Sequence, residues 1–255
     1  MNHLPVFLLT VEAIINRSNR STLTDPIHKG SDVSESIEVV VRGGILCADF
    51  NEGCLIIDTG SPVSLGPDIS VRVLGSVVQL NSRFGSYAWT EIQESLPFDA
   101  VGLIGVDAFS DAVLGFDVAN NTLARLDVPI DGDETAFVMG SPAVSCQIGE
   151  ERLSCVLDTG AGLSYLRSEA TGVFGQALGK QHDFHPMLGE FEVETVTCSL
   201  VVGDQSLTET FGIATGELRQ LMDTANIDAI FGTTFFQRSL IEIDFQNEIV
   251  GMTFD

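Results

Sequence analysis

Basic residues are scarce in this sequence. Its 255 residues include 12 lysines and arginines against 36 aspartates and glutamates, which gives a formal net charge of −24. A surface of this sign repels phosphate backbones and anionic lipid headgroups, so we expect neither nucleic acids nor membrane surfaces as partners. The acidic residues are scattered singly, a pattern typical of the solvated surface of a folded protein.

Long hydrophobic runs are also missing. No apolar stretch reaches the roughly 18 to 20 residues that a membrane-spanning helix requires. The apolar run over 4–15 contains Thr10 and Glu12, has no lysine or arginine before it and lacks a small-residue cleavage site. It is therefore interpreted as a β-strand and not as a signal peptide, and the expected location is the cytoplasm.

Patterns for metals and cofactors are lacking as well. The five cysteines form no Cys-x-x-Cys pair, so they indicate neither a zinc site nor a thioredoxin-like site. His182 and His185 have no further ligand cluster beside them, and a pair of solvated histidines is the expected reading. We predict no metal and no cofactor.

What the chain does contain is one sequence unit that occurs twice. The stretch CLIIDTGSPVSL is followed a hundred residues later by SCVLDTGAGLSYL. Further along, residues 98–126 resemble residues 227–254: when Gly105 is matched to Gly232, Phe109 matches Phe236 and Asn120 matches Asn247, with no gap between these points. Chance is a poor explanation for this order of matches, which indicates an internal duplication.

Both copies of the unit have the pattern of a β protein. Short apolar or alternating segments between glycine and asparagine turns predict strands. These segments are 37–41, 45–48, 55–57, 144–148 and 153–157. The segments 106–112 and 233–239, which follow the two matched glycines, predict about one or two helical turns each. The chain is therefore predicted to be mainly β, with two lobes.

A segment rich in proline, glycine and aspartate marks the boundary between the copies. We expect a linker there, over 128–142. An N-terminal arm over 1–34, available as a strand between the lobes, precedes an N-terminal lobe over 35–127. The C-terminal lobe is expected over 143–255.

The repeated Asp-Thr-Gly turns suggest a chemical function. If each lobe delivers one carboxyl to the interface, two carboxyls about 3 Å apart hold one proton between them, because both cannot ionise cheaply. One then acts as general base on a water while the other polarises a carbonyl, which hydrolyses amides. Asp58 and Asp158 are the candidate catalytic residues because they open the two triplets.

The other residues of the triplets are expected to support this pair. Gly60 and Gly160 allow the backbone to turn closely beneath the carboxylates. Thr59 and Thr159 can hydrogen-bond to the opposite loop and hold the two turns together.

At these residues the chain resembles the aspartic peptidases of the pepsin and retroviral-protease clan. That family has two hydrophobic residues before Asp-Thr-Gly-Ser/Thr/Ala and a later hydrophobic-hydrophobic-Gly strand in each lobe. The matching residues are Ile56-Ile57-Asp58-Thr59-Gly60-Ser61 with Leu103-Ile104-Gly105, and Val156-Leu157-Asp158-Thr159-Gly160-Ala161 with Ile230-Phe231-Gly232. The resemblance covers about residues 35 to 255.

The resemblance implies an all-β fold of two lobes, each a small closed β-barrel-like unit with a short helix. It also implies an aspartic endopeptidase that binds a peptide substrate in an extended conformation. The lobes are close in size to a retroviral subunit, so the chain is similar to a compact fused form of that dimer, and we expect a monomer. Ala161 is as in the retroviral enzymes, whereas Pro62 and Gly162 are not the usual following residues.

The family covers its cleft with a β-hairpin flap. Residues 76–92 predict a hairpin with two strand-like arms, in which Phe84, Gly85 and Tyr87 are candidates for contact with substrate and Trp89 for packing at the base. An ordinary surface hairpin is the alternative reading. A second hairpin is predicted over 191–213 and is assigned to the scaffold, because pepsin-like enzymes use one flap.

Ser61 suggests that the two aspartates are unequal. Its hydroxyl can donate to Asp58, whereas Ala161 has nothing to donate to Asp158. A hydrogen bond to a carboxylate lowers its pKa, so Asp58 is predicted to be the charged partner and Asp158 the holder of the shared proton.

Two pairs of cysteines flank predicted turns. Cys47 and Cys54 lie symmetrically about one turn, and Cys146 and Cys155 about the other. We expect each pair to face across two strands as buried free thiols.

A protein with this sequence pattern need not be an active enzyme. A catalytically silent peptide-binding protein of the same fold is the main alternative, and a structural pair of lobes whose turns merely cap strands is the third. The presence of both aspartates, both threonines and all four glycines favours activity.

Overall fold

The computed structural model of the protein describes residues 33–50, 53–85, 87–134, 137–167, 175–185 and 189–254. Of the expected N-terminal arm, only Val33 and Ser34 fall in these ranges, where they open the first strand. The candidate strand over 4–15 lies outside the described residues.

The N-terminal half is built from short strands. They are β1 Val33–Arg42, β2 Ile45–Phe50, β3 Gly53–Ile57, β4 Ser70–Val73, β5 Ser76–Gln79, β6 Arg83–Phe84, β7 Tyr87–Ala88, β8 Ala100–Ile104, β9 Val113–Asp117 and β10 Thr122–Leu126. Helix α1 spans Trp89–Ser95, and two 3-10 turns span Val106–Phe109 and Val118–Asn120.

The C-terminal half repeats this composition with longer strands. They are β11 Asp133–Glu134, β12 Ala143–Ile148, β13 Glu151–Leu157, β14 Ser164–Arg167, β15 Gly175–His185, β16 Gly189–Val202, β17 Gln205–Ala214, β18 Ala229–Phe231, β19 Ser239–Asp244 and β20 Ile249–Phe254. Helices α2 and α3 span Gly216–Ala225 and Thr233–Phe236. The five predicted strands and both predicted helical turns are confirmed.

Alternation of side chains explains why these segments form strands. In β12, Val144, Cys146 and Ile148 are buried while Ser145 and Gln147 between them are exposed. Successive side chains of a strand point to opposite faces, so this order places one apolar face on the core.

The C-terminal lobe is a closed barrel. Its strands pair in the order β12-β13-β18-β14-β17-β16, and β16 pairs again with β12 through Cys146↔Val202 and Gln147↔Val201. Closure leaves these six strands without an open edge. Strand β15 adds to the outside of the barrel, on β16.

The N-terminal lobe follows the same course with weaker pairing. Strands β1, β2, β3 and β8 form a continuous sheet, after which Leu65 makes single bridges to Leu103 and Asn81. The β4–β5 hairpin completes the lobe and contributes Val71, Val73 and Val78 to the core.

One sheet runs through both halves of the molecule. In the order β11-β20-β19-β9-β10-β1, strand β19 of the C-terminal half pairs antiparallel with β9 of the N-terminal half. Beneath it the buried rings of Phe116 and Phe236 meet edge-on, with centroids 5.6 Å apart. The predicted all-β, two-lobed fold class is confirmed.

None of the helices in the described ranges is long and apolar enough to cross a membrane.

The prediction of one hairpin over residues 76–92 is wrong about which segments pair. Strand β5 pairs instead with β4, across a turn at Leu74 and Gly75 that both have positive φ (45° and 77°). Two-residue turns of this type suit the twist of a hairpin, but leucine rarely adopts them, so the sequence carries no signal for it. The later hairpin β6–β7 has arms of two residues, and Trp89 begins α1.

The hairpin predicted over residues 191–213 is confirmed. Strands β16 and β17 pair from Thr195↔Gly212 to Val202↔Gln205, and Gly203 in the connecting turn has a φ of 59°.

The two cysteine pairs lie diagonally and not directly opposite each other, which corrects the predicted register. Cys47 pairs with Ile56, and Cys146 with Leu153, because each turn is centred one residue away from the predicted place. The Sγ atoms of Cys146 and Cys155 are 3.1 Å apart. All five cysteines are free and buried.

Candidate active site

Each Asp-Thr-Gly turn begins where a central strand ends. Asp58 follows β3, and its N–H donates to the carbonyl of Ile104 over 2.9 Å. Asp158 follows β13 and donates to Phe231 over the same distance. The hydrophobic-hydrophobic-Gly strands β8 and β18 therefore hold the start of each turn.

The two carboxyl groups meet at the interface between the lobes. A Cβ atom at Gly60 would lie 2.3 Å from Cγ of Asp158, and one at Gly160 would lie 2.5 Å from Cγ of Asp58. Real Cβ contacts do not occur at such distances, so any side chain at either glycine would displace the opposite carboxyl. Glycine is required here for space.

The two threonines tie the turns together. The N–H of Thr59 donates to Oγ1 of Thr159 over 3.1 Å, and the reverse bond measures 3.0 Å. Each hydroxyl then donates across the interface, Thr59 to the carbonyl of Leu157 and Thr159 to that of Ile57, over 2.7 and 2.6 Å. Both threonines are fully buried, so these four bonds are shielded from water and hold the aspartates in a common frame.

Burial acts on both aspartates. Burial, and next the charge of Asp158, raise the pKa of Asp58 well above its usual range. Burial also raises the pKa of Asp158, while hydrogen bonds from the N–H of Gly160 and from Asp58 lower it. Asp58 accepts the N–H groups of Gly60 and Ser61, each over 2.9 Å, and Asp158 accepts that of Gly160 over 2.8 Å. The buried environment therefore favours one proton held between the two carboxyls.

The hydrogen bond from which Asp58 was predicted to be the charged partner is not formed. The hydroxyl of Ser61 donates to the carbonyl of Val63 over 2.8 Å, and only the N–H of Ser61 donates to Asp58, over 2.9 Å. The reason is local, since the turn brings a backbone carbonyl within reach of the hydroxyl.

Two serines that sequence reasoning missed support the turns. Ser64 and Ser164 each lie six residues beyond an aspartate and are fully buried. The hydroxyl of Ser64 accepts the N–H of Gly105 over 3.0 Å, and that of Ser164 accepts the N–H of Gly232 over 3.2 Å. Their common spacing in the repeated unit was a usable signal.

Each serine hydroxyl also donates to a carboxylate, and the two carboxylates differ. Ser64 donates to Asp107 over 2.6 Å, and Asp107 is exposed. Ser164 donates over 2.9 Å to Glu209, which is only 3% exposed and forms an ion pair with Arg238.

The residues predicted to contact substrate lie at the surface of the N-terminal lobe. Phe84 and Tyr87 are 47% and 42% exposed, and a Cβ atom at Gly85 would meet nothing within 4 Å. Trp89 behind them is buried. Contact of this hairpin with a peptide stays a prediction.

A third carboxyl, without any signal in the sequence, lies beside the second turn. Asp183 of β15 accepts hydrogen bonds from the hydroxyl of Tyr165 and, over 3.4 Å, from the N–H of Leu163. Burial raises the pKa of Asp183 and that of Tyr165, and the charges of Asp183 and then Asp158 raise the latter further. The charge of Asp158 therefore acts on the hydroxyl of Tyr165.

The two histidines of β15 differ from the expected solvated pair. His182 is exposed and lies 3.4 Å from Glu192, whereas burial lowers the pKa of His185 to about 4. Across the described ranges, no three His, Cys, Asp or Glu side chains are grouped to hold a metal ion.

Comparisons with known proteins give matches among solved structures but none among sequences. No protein-family model matches the chain, and no curated protein sequence matches it. Among solved structures, the chain is similar to the aspartic proteinase from Irpex lacteus, with a TM-score of 0.47 and 13% sequence identity. The match covers 86% of this chain and 97% of that one.

Proposed function

We propose that this protein is an aspartic endopeptidase in which a water held between Asp58 and Asp158 hydrolyses a peptide bond. The observation that carries the proposal is the close approach at the lobe interface. Each triplet glycine lies against the carboxyl of the other lobe, so the two carboxyls share one site. The alternative, in which the turns merely cap strands, does not call for this mutual fit.

The raised pKa values of both aspartates support a pair that shares one proton. In the proposed reaction Asp158 is the base and takes a proton from the water while the new hydroxide bonds to the carbonyl carbon. The proton on Asp58 passes to the carbonyl oxygen, which gives a neutral diol. When the carbon–nitrogen bond breaks, Asp158 returns its proton to the leaving amine and Asp58 recovers one from the diol.

The substrate is proposed to be an extended peptide bound between the lobes. Main-chain hydrogen bonds to strand edges recognise such a peptide largely independently of its sequence. Both catalytic aspartates belong to one chain, so the active unit is proposed to be a monomer. In this reading the chain is a compact single-chain enzyme, with lobes similar in size to a retroviral protease subunit.

The proposal is tested by incubating the protein with a diverse peptide mixture at several pH values, with and without pepstatin. Cleavage that pepstatin blocks, and that Asp58→Asn and Asp158→Asn both lose, would support it. Peptide or pepstatin binding without any cleavage would favour the silent peptide-binding alternative.

A further inference from the structure

Each lobe carries a hairpin beyond its catalytic turn, and the two hairpins differ greatly in length. In the N-terminal lobe, β6 and β7 pair over two residues each. In the C-terminal lobe, β15 pairs with β16 from Gly175↔Cys198 to His185↔Gly189. The hairpin assigned to the scaffold from sequence, over 191–213, is a different one, formed by β16 and β17.

The far end of β15 lies against the second catalytic turn. A Cβ atom at Gly162 would lie 2.8 Å from Oδ1 of Asp183, whose Oδ2 accepts the N–H of Leu163. The same carboxyl accepts the hydroxyl of Tyr165 in β14. Asp183 thus connects the hairpin to the loop that follows Asp158.

The next residue along β15 reaches the other lobe. Phe184 is 7% exposed and packs in a buried cluster whose other members all belong to the N-terminal lobe. These members are Ile45, Cys47, Cys54, Ile56, Leu65, Trp89, Ile92, Ala100 and Leu103. Strand β15 therefore bridges the two lobes next to the catalytic pair.

We propose that residues 183–185 form a wall of the peptide-binding cleft, and that Asp183 is a positioning residue that holds this wall on the second catalytic turn. The inference rests on the proposed function, because it names the element that contacts the substrate of the same site. It transfers this role from the N-terminal hairpin to the C-terminal one.

Exposure and anchoring favour the C-terminal hairpin. Phe84 and Tyr87 project into solvent from short arms, whereas Phe184 is packed and Asp183 accepts the N–H groups of Phe184 and Leu163. Because β15 joins the two lobes beside the Asp58–Asp158 pair, a peptide bound between the lobes is expected to pass along it. An ordered wall lowers the entropy lost on binding, so its loss should weaken binding more than it slows the chemical step.

The first test compares the two hairpins by kinetics. Phe184→Ala and Asp183→Ala are expected to raise KM and the Kd of pepstatin about tenfold, with kcat changed less. Phe84→Ala and Tyr87→Ala are expected to stay within about twofold. Asp183→Asn, which keeps an acceptor for the Tyr165 hydroxyl, should recover part of the loss. Asp204→Asn, in the turn at the other end of β16, is the matched control.

The second test does not depend on turnover. Trp89 is the one tryptophan of the sequence and shares the cluster of Phe184. Its emission should shift in Phe184→Ala, and adding pepstatin should shift it in the unmodified protein. Thermal unfolding of each variant shows whether the fold is kept, and Phe184→Leu, which conserves most of the apolar volume, covers the case in which Phe184→Ala unfolds.

The outcomes separate this inference from the proposed function. If the unmodified protein neither cleaves peptides nor binds pepstatin, the proposed function is rejected and the inference with it. If it cleaves them, but KM follows Phe84 and Tyr87 and not Asp183 and Phe184, the inference alone is rejected.

Discussion

The two Asp-Thr-Gly turns are supported by the same arrangement of hydrogen bonds, made with different residues. In each lobe a buried serine accepts the N–H of the downstream glycine and donates to a carboxylate. In the N-terminal lobe that carboxylate is Asp107, two residues past the glycine and open to solvent. In the C-terminal lobe it is Glu209, which comes from β17, is buried, and is neutralised by Arg238.

This difference shows how one geometry can be held by local or by long-range contacts. An exposed carboxylate that loses a hydrogen bond to the protein forms one to water instead, at little cost in free energy. A buried carboxylate depends on its protein partners for stability. The closed barrel of the C-terminal lobe provides the burial, because β17 is one of its six strands. We therefore expect equivalent substitutions in the two lobes to have unequal effects on stability.

The largest expected effect is the loss of activity when the aspartate of either turn is replaced, because the proposed catalysis needs both carboxyls. Asp58→Asn and Asp158→Asn should each lower kcat about a thousandfold or more, since neither carboxyl can act as both acid and base. Single-turnover cleavage of a reference peptide measures this. Substantial turnover in either variant would remove that aspartate from the catalytic pair.

Among the ion pairs compared, loss of Arg238 should lower the free energy of unfolding the most. Arg238→Met leaves the buried Glu209 carboxylate without its counterion and should lower the free energy of unfolding by about 2 kcal/mol, since Arg238 itself is half exposed. Urea unfolding at pH 7 is the measurement. The control is Arg42→Met, which breaks the exposed pair with Asp49 and should cost less stability than Arg238→Met. Equal losses would mean that burial of Glu209 is unimportant.

Replacing each of the two serines compares the supports of the two turns directly. Ser164→Ala leaves the Gly232 N–H without a partner and removes the hydroxyl donor of the buried Glu209, and should cost about 2 kcal/mol. Ser64→Ala leaves only the Gly105 N–H without a partner, because water can replace the hydroxyl at the exposed Asp107 carboxylate. It should cost about 1 kcal/mol. Denaturant midpoints at constant m-value give both figures, and a larger loss at Ser64 would contradict the reading.

The raised pKa of Asp58 should make its removal stabilising near neutral pH. A folded-state pKa above the unfolded value means that stability is fully present below the unfolded pKa and is lost as pH rises through the folded pKa. Asp58→Asn removes that loss, so it should unfold at a higher temperature than the unmodified protein at pH 7. The gain should vanish below about pH 4, where the unfolded carboxyl is also protonated. A pH-independent difference would argue against a raised pKa.

The smallest expected effect concerns Ser61. Its hydroxyl donates to Val63 and not to Asp58, so Ser61→Ala should leave the acid limb of the kcat/KM profile within about 0.3 pH units of its position. A clear upward shift of that limb would mean that the hydroxyl reaches Asp58 during the reaction and would restore the asymmetry predicted from sequence.

Much of the fold was predictable because it depends on local pattern and on repetition. Alternating apolar residues predicted β12 and β13, and Gly203 predicted the turn between β16 and β17. The turn at Leu74 was not predictable, since leucine in a left-handed conformation follows from packing of the hairpin and has no mark in the sequence.

By itself the sequence determined the two carboxyls and their frame, because Asp58, Asp158 and their triplets recur at a fixed place after an apolar strand. Only the tertiary structure decided what surrounds them: that Ser61 turns to a backbone carbonyl, that burial raises the pKa of both aspartates, and that Phe184 crosses to the other lobe. The physical reason is the distance along the chain between the residues that interact. Backbone conformation follows from neighbours along the chain, whereas burial, charge and hydrogen-bond partners come from residues that only folding brings together.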